Sequence, residues 1–335
     1  MMKIALDAMG GDKAPETTVA GAIRAARELP IEVVLVGAQP LLEQQLARYP
    51  RRPSNLSVIH ASEVIEMDDP PVASVRKKKE SSISIGIEAL RDGRVEAFVS
   101  AGNTGAVVCA ASLILGLLPG IERPGIAIVL PAIRGETLLI DVGANINPKP
   151  THLLQYALMG EAYVRYVMGT LRPTVGLLNV GEEETKGTDF IRETYNLLEA
   201  SGVNFVGNVE GRDIFSGDYD VIVCDGFAGN VALKTAESLA QAISQVLKRA
   251  LGMSPITRLG AWMCRAAFQA LRKEIDYAEH GGALLLGVNG VCIIAHGAST
   301  AKAIKNAIRV AYESARHDVN RHLVEAVQTQ AQHVQ

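Results

Sequence analysis

The sequence predicts an α/β fold: a three-layer α/β/α sandwich with helices on both faces of a mostly parallel, mixed sheet. Three observations carry that expectation. Short runs rich in Val, Ile and Leu alternate with helical segments along the whole chain. Glycine and asparagine gather just after those runs, and aromatics make up only 4% of the 335 residues against 31 glycines. Runs apolar on both faces are strands buried beneath helices, and glycine-dense turns link strand to helix in such sheets. With 48% apolar residues the chain can bury a large core, as one catalytic α/β body over residues 1–335 or as two intertwined halves with a cleft between them.

The chain opens on a strand pattern, Lys3-Ile4-Ala5-Leu6-Asp7, which leaves no room for a signal peptide. The loop Asp7-Ala8-Met9-Gly10-Gly11-Asp12-Lys13-Ala14-Pro15 is too polar and glycine-rich to be packing material, and Pro15 suits the first turn of a helix to Glu28. A strand over Ile31 to Val36, a helix over Pro40 to Ala47 and a strand over Leu56 to His60 follow. Asp68-Asp69-Pro70-Pro71 breaks the pattern ahead of Arg76-Lys77-Lys78-Lys79, a basic run that reads as a solvated helix face or a dock for an acidic partner. A helix from Ser82 to Asp92 leads into the strand Ala97 to Ser100 and the turn Ala101-Gly102-Asn103-Thr104-Gly105-Ala106.

Ile126 to Leu130 and Thr137 to Ile140 lie close enough in sequence to pair antiparallel. The second ends in Asp141-Val142-Gly143-Ala144-Asn145, after which Leu153 to Val167 is a helix. Thr174 to Leu178 is a strand ending in Asn179-Val180-Gly181-Glu182-Glu183-Glu184-Thr185-Lys186-Gly187, then Phe190 to Ala200 is a helix, and Asn204 to Val206 enters a polar, glycine-bearing loop. Val221-Ile222-Val223-Cys224 is a strand buried on both faces, and Gly226-Phe227-Ala228-Gly229-Asn230 turns from it into a helix that carries Lys234. Orphan N–H groups at such a helix start, bared by Gly226 and Gly229, make an anion site; the plainer reading is a tight turn with an Asn cap.

From Val246 to Lys273 there are six Lys or Arg and no Asp or Glu. Ser254-Pro255 opens a helix, and projection at 100° per residue puts Arg258, Arg265, Gln269 and Arg272 on one stripe. Trp262 lies beside that stripe, and Met263 and Phe268 are among the apolar residues around it. This is the pattern of an interfacial amphipathic helix on an anionic membrane surface, or of a dimer-interface helix whose arginines reach solvent.

Composition excludes several functions. A net charge of -3 and few aromatics argue against nucleic acid. Cys109, Cys224, Cys264 and Cys292 are far apart in apolar runs, which suits reduced core thiols. The longest uncharged run, Ala97 to Ile121, is interrupted by Asn103, glycines and Pro119, so the protein is expected to be soluble and cytoplasmic, at most peripheral to a membrane. No nucleotide P-loop, Gly-x-Gly-x-x-Gly after the first strand, Gly-x-Ser-x-Gly or His-Glu-x-x-His occurs. Glu182, Glu183 and Glu184 are adjacent and cannot all face one ion, so no metal and no cofactor are expected. His296 sits at a strand end before a helix. Anion-binding turns with Lys and Arg nearby, and few candidate bases, suit a nucleophile that is already anionic; orthophosphate attacking a thioester is such a case.

Asp7-Ala8-Met9-Gly10-Gly11-Asp12, Ser100 to Ala106, Asp141 to Asn145, Leu178 to Glu183, Gly207-Asn208-Val209-Glu210-Gly211-Arg212-Asp213 and Asp225 to Asn230 together resemble the bacterial phosphate acyltransferases of phospholipid synthesis, from Lys3 to about Ala315. The resemblance implies an isocitrate/isopropylmalate dehydrogenase-like fold and kinship with phosphotransacetylases. It implies conversion of acyl-[acyl-carrier protein] and orthophosphate into acyl phosphate, which a membrane glycerol-3-phosphate acyltransferase consumes. It implies also a homodimer on the inner face of the membrane. Carried over by position, Lys186, Asn230 and His296 are the catalytic candidates. Gly102, Asn103, Thr104, Gly105, Asn145, Asn208, Gly226, Gly229 and Lys234 are the phosphate or substrate candidates. Arg258, Trp262, Met263, Arg265, Phe268 and Arg272 are the candidates for lipid or carrier protein, with Arg76 to Lys79 an alternative dock. Tyr277 to Gly287 carries Leu284 where the family commonly has Pro, and Thr235-Ala236-Glu237-Ser238 departs from its Thr-x-Glu-Gly.

Overall fold

A computed structural model describes residues 1–268 and 281–333. Its strands are β1 (Met2–Asp7), β2 (Ile31–Gly37), β3 (Leu56–His60), β4 (Ala97–Ser100), β5 (Gly125–Pro131), β6 (Glu136–Ile140), β7 (Val175–Leu178), β8 (Phe205–Val209), β9 (Val221–Val223), β10 (Ala283–Leu286) and β11 (Val291–Ile294). They form one sheet in the order β3-β2-β1-β4-β11-β10-β5-β6-β9-β7-β8. Its helices are α1 (Glu16–Glu28), α2 (Gln39–Leu46), α3 (Pro71–Lys77), α4 (Ser82–Arg91), α5 (Thr104–Ala110), α6 (Pro150–Tyr163), α7 (Asp189–Glu199), α8 (Gly226–Gly252), α9 (Pro255–Met263), α10 (Ala301–Arg316) and α11 (Val319–His333).

The sheet is mixed in a way that decides where its loops go. Strands β3, β2, β1, β4 and β11 are parallel to one another, as are β6, β9, β7 and β8. Between them, β11–β10, β10–β5 and β5–β6 are all antiparallel. Three reversals make the second parallel set run opposite to the first, so the strand-end loops of the two sets leave opposite edges of the sheet. The expected antiparallel pairing of Ile126 to Leu130 with Thr137 to Ile140 is present, with Ile128 opposite Leu139.

Alternation along each strand feeds two cores. Ile4 and Leu6 of β1 join the cluster beneath α1, α6 and α10, while Ala5 joins Phe98 and Ile87 on the other face. Gly21 lets α1 meet α10, since a β-carbon there would lie 2.6 Å from Ile304 Cβ. The helix expected from Leu153 begins earlier, at Pro150, and its last turn widens into a π segment over Val164–Met168.

Helices α8 and α9 depart from this packing. Only Gly226 and Gly229 of the 27 residues in α8 are buried, and none of α9. Val231, Leu239, Ile243, Val246, Ile256, Leu259, Trp262 and Met263 are exposed. Among the described residues no helix is long and apolar enough to cross a membrane. All four cysteines are free, but Cys264 is exposed, so the expectation of four core thiols fails there. Its apolar neighbours belong to an uncovered helix.

Candidate active site

The first set of loops meets at the carboxyl ends of β1, β4 and β11. Asp7, the last residue of β1, is 1% exposed. Its Oδ1 accepts from Met9 N at 3.1 Å and its Oδ2 from Ser100 Oγ at 2.7 Å. Ser100 Oγ in turn accepts from Gly102 N at 3.0 Å. Burial pushes the Asp7 carboxyl above its ordinary value, opposed by the Ser100 and Ser82 hydroxyls and by the Met9 and Gly10 amides. Above this network the loops touch through bare backbone. A β-carbon on Gly10 would lie 2.4 Å from Asp7 Oδ2 and 2.6 Å from Gly102 N, and one on Gly11 would lie 3.1 Å from Gly297 O. The third loop is fastened by Asp12 N donating to Gly297 O at 2.9 Å.

Of the candidates on these loops, Gly102 is buried, Thr104 and His296 are exposed and Gly105 is half-buried. Asn103 is 6% exposed with its side chain committed. Its Nδ2 donates to the carbonyls of Glu66, Met67 and Asp69, and its Oδ1 caps α5 by accepting from Ala106 N. The expectation that the Asn103 amide faces substrate is therefore corrected: it ties the 66–69 loop to α5. The Thr104 and Gly105 N–H groups are in the first turn, where no intrahelical acceptor exists. His296 Nδ1 accepts from Ala298 N at 3.1 Å, leaving Nε2 for a partner.

The second set of loops is organised by two aspartates. Asp141, 0% exposed, accepts through Oδ1 from the amides of Ile126, Gly143 and Ala144, and through Oδ2 from Asn145 N at 2.7 Å. Burial raises its carboxyl against those amides. Asp225 caps α8, its Oδ1 accepting from Phe227 N and Ala228 N at 2.9 and 2.8 Å. Gly226 N donates to Asn145 O and Gly229 N to Asp225 O.

Every amide from Gly226 to Gly229 is therefore spent inside the protein, and a carboxylate already occupies the positive end of α8. The expectation of an anion cradle at this turn is overturned. Its glycines are required by packing: a β-carbon on Gly226 would lie 2.6 Å from Asn145 O, and one on Gly229 2.0 Å from Asp141 O. Asn145 is a strut as well, its Nδ2 donating to Pro124 O and Tyr156 Oη at 2.7 Å each. Lys234, expected to support an anion, instead pairs with Glu237 at 2.9 Å on the helix surface. Asn230 is exposed, with its side chain 3.7 Å from where a β-carbon on Gly143 would stand.

Lys186 is exposed and follows Thr185, which with Glu182, Glu183, Glu184, Tyr195, Asn208 and Tyr219 lines a cavity of about 560 Å³ that Lys186 itself does not line. Asn208 Nδ2 donates to Glu183 O at 3.2 Å, while its buried Oδ1 has no partner. Asn208 therefore has only its Oδ1 acceptor free, so a phosphate there would have to donate to it through its own hydroxyl. The glutamates diverge as expected, Glu182 to Arg212 and Glu184 to Tyr195 Oη. Among the described residues no His, Cys, Asp or Glu group could hold a metal.

Of the lipid or carrier candidates, Arg258, Trp262, Met263 and Arg265 are exposed on or just after α9, Phe268 is half-buried, and Arg272 lies outside the described residues. In the alternative dock Lys78 turns inward to Val64 O and Asp69, leaving Arg76, Lys77 and Lys79 exposed. The aspartates that organise both sets were not singled out from sequence, although the signal was present: Asp7, Asp141 and Asp225 each stand at or just past a strand's last residue.

The chain matches the family model described as "Fatty acid synthesis protein" over residues 2–322. It is 49% identical over 327 residues to a phosphate acyltransferase of Geotalea uraniireducens (strain Rf4), covering 98% of this chain and 94% of that one. It is 50% identical over 324 residues to a phosphate acyltransferase of Citrifermentans bemidjiense, covering 97% and 92%. Among solved structures, a phosphotransacetylase from Streptococcus pyogenes superposes with a TM-score of 0.64 at 18% identity over 94% of both chains. The 4-hydroxythreonine-4-phosphate dehydrogenase of Klebsiella pneumoniae does so at 0.53 and 14%, over 94% of this chain and 98% of that one. At these identities the solved structures speak to the fold alone, an α/β sandwich of the dehydrogenase-like type. The near full-length match at about half identity decides the family: the chain belongs to the phosphate acyltransferases.

Proposed function

We propose that the enzyme moves a long-chain fatty acyl group from the thioester of acyl-[acyl-carrier protein] to orthophosphate, giving an acyl phosphate for phosphatidic acid synthesis. One observation carries the reading beyond family membership: three bare-backbone loops converge at the carboxyl ends of β1, β4 and β11. A phosphate oxygen attacks the thioester carbonyl carbon, the C–S bond breaks, and its electron pair leaves on sulfur. The proton of hydrogen phosphate ends on the thiol. A thiol of pKa about 8.5 leaves with little help, so positioning and oxyanion donors are what the protein must supply.

Lys186, Asn230 and His296 are the side chains proposed to act on the thioester and the developing oxyanion; each is exposed on a strand-end loop or the helix turn that follows one, Lys186 and Asn230 at one edge of the sheet and His296 at the other, so they are proposed to meet across a pair of copies. The Thr104 and Gly105 amides are proposed as donors. Two copies are proposed to pair, and the exposed Trp262 and Met263 with Arg258 and Arg265 to rest on an anionic inner-membrane surface, where a glycerol-3-phosphate acyltransferase takes the product. Each such cation contributes about 1 kcal/mol near an anionic leaflet. A second reading, favoured by the phosphotransacetylase fold, is the same transfer from a CoA thioester.

Incubation with palmitoyl-carrier protein and phosphate should yield a hydroxylamine-reactive product that depends on phosphate and is lost in Lys186→Ala at unchanged melting temperature. Full turnover without phosphate, or an obligatory acyl-enzyme, sinks the proposal; preference for palmitoyl-CoA supports the second reading. Flotation with anionic liposomes at low salt should fail for the Trp262→Asp, Met263→Asp variant, and equal flotation removes the membrane assignment.

A further inference from the structure

We infer that Asn208 is a positioning residue for Lys186: from within β8 its side-chain amide holds the turn that presents the lysine. This deepens the acyl-transfer reading and rests on the role of Lys186 in it. Glu182 to Lys186 are all exposed, so core packing does not fix this loop. What fixes it is hydrogen bonding at one carbonyl. Glu183 O accepts from Lys186 N at 3.0 Å, which closes the turn, and from Asn208 Nδ2 at 3.2 Å, which fastens that turn to β8. A carbonyl oxygen has two lone pairs, so both donors are served at once, and only the nitrogen of the Asn208 amide can donate to it.

Three further observations support the assignment. The anchor is firm: Asn208 is 6% exposed and stands opposite Leu177 of β7, the strand from which the lysine loop leaves. The far side of the turn is held as well, because Asn179 Nδ2 donates to Lys186 O at 3.3 Å, and the lysine stem lies over bare backbone, its Cγ 3.1 Å from a β-carbon placed on Gly181. Finally, the arrangement costs stability, since the buried Asn208 Oδ1 has no partner and such an acceptor is destabilising. An apolar residue of the same size would avoid that cost. What Asn208 supplies in its place is an N–H, and that N–H goes to the lysine turn. The other ties of the loop, Glu182 to Arg212 and Glu184 to Tyr195 Oη, join exposed side chains, where water competes and little is gained.

The test applies steady-state kinetics with palmitoyl-carrier protein and phosphate, calorimetry, and limited trypsin digestion read by mass spectrometry to Asn208→Leu and Asn208→Ala. Misplacing a group that acts in the transition state by about 1 Å costs about 100-fold, and the loss falls on kcat. We expect kcat down by about 10- to 100-fold with both KM values within about twofold. Tm should stay within about 2 °C, because Glu183 O keeps its bond from Lys186 N and the orphan acceptor is removed. Tryptic cleavage after Lys186 should speed up severalfold while cleavage elsewhere holds. Unchanged cleavage after Lys186, or kcat within about twofold of wild type while Lys186→Ala is inactive, overturns the assignment. So does a fall in Tm of more than about 5 °C in both variants with faster cleavage at every site, which would make Asn208 a general structural residue. Wild-type turnover by Lys186→Ala refutes the lysine's role in acyl transfer, and the cleavage rate then still decides whether Asn208 holds the turn.

Discussion

Replacing Asp225 with Ala separates two accounts of the turn that opens α8. The carboxylate accepts from Phe227 N and Ala228 N at 2.9 and 2.8 Å, so removing it leaves both amides without a protein acceptor and takes a negative charge from the helix start. Loss of an acidic cap costs about 0.5–2 kcal/mol, and the lost charge–dipole attraction about 0.3–1 kcal/mol more. Water reaches this half-buried position and recovers part of the loss, so about 1–2 kcal/mol is expected. Across 335 residues that corresponds to a fall in Tm of about 1–3 °C. If the turn is internally satisfied, the phosphate KM stays within twofold, because no phosphate was held there. Calorimetry and phosphate titration in the acyl phosphate assay give both numbers. Were the turn an anion cradle, freeing two amides and deleting the competing carboxylate would tighten phosphate severalfold, and that result would refute the reading.

Gly229→Ala should be far more damaging than a helix propensity scale suggests, since Ala normally favours a helix over Gly by about 1 kcal/mol. Its β-carbon would stand 2.0 Å from Asp141 O and 2.8 Å from Cys224 Sγ. Relieving that overlap moves α8 off the Asp141 loop, for a loss of about 1–3 kcal/mol or more in urea unfolding; a stabilised variant would show that the two segments are not packed as described. Asp7→Asn should change how stability follows pH. Because the folded Asp7 carboxyl titrates above its unfolded value, native wild type binds a proton more tightly than the unfolded chain. Wild type therefore loses stability as pH rises from about 4, the unfolded value, through the folded one. Asn does not titrate, so the Tm of Asp7→Asn relative to wild type should climb across that window; a flat or falling difference would mean that the carboxyl is not desolvated.

Strand and helix positions were legible because they depend on local period. The apolar run Leu56 to His60 is β3 and Ala97 to Ser100 is β4, residue for residue, and Ser254-Pro255 opens α9 as cap and first helical residue. The site was legible only in part. Glycine and asparagine mark the strand-end turns, but composition cannot say which acceptor each amide takes. Asn103 spends its side chain on Glu66, Met67 and Asp69, and Asn145 on Pro124 and Tyr156, partners from 11 to 37 residues away.

By itself, then, the sequence determined the alternation of elements, the sheet-and-helix class and the six motifs that mark the family, because each is written in neighbouring residues. Only the tertiary structure decided that the three antiparallel pairings β11–β10, β10–β5 and β5–β6 send the two sets of loops to opposite edges, that Asp225 closes the α8 turn to anions, and that Gly10, Gly102 and Gly297 share one corner. The physical reason is that strand order, carboxylate–amide pairing and backbone contact are long-range choices, settled by which buried groups can satisfy one another once the chain is packed.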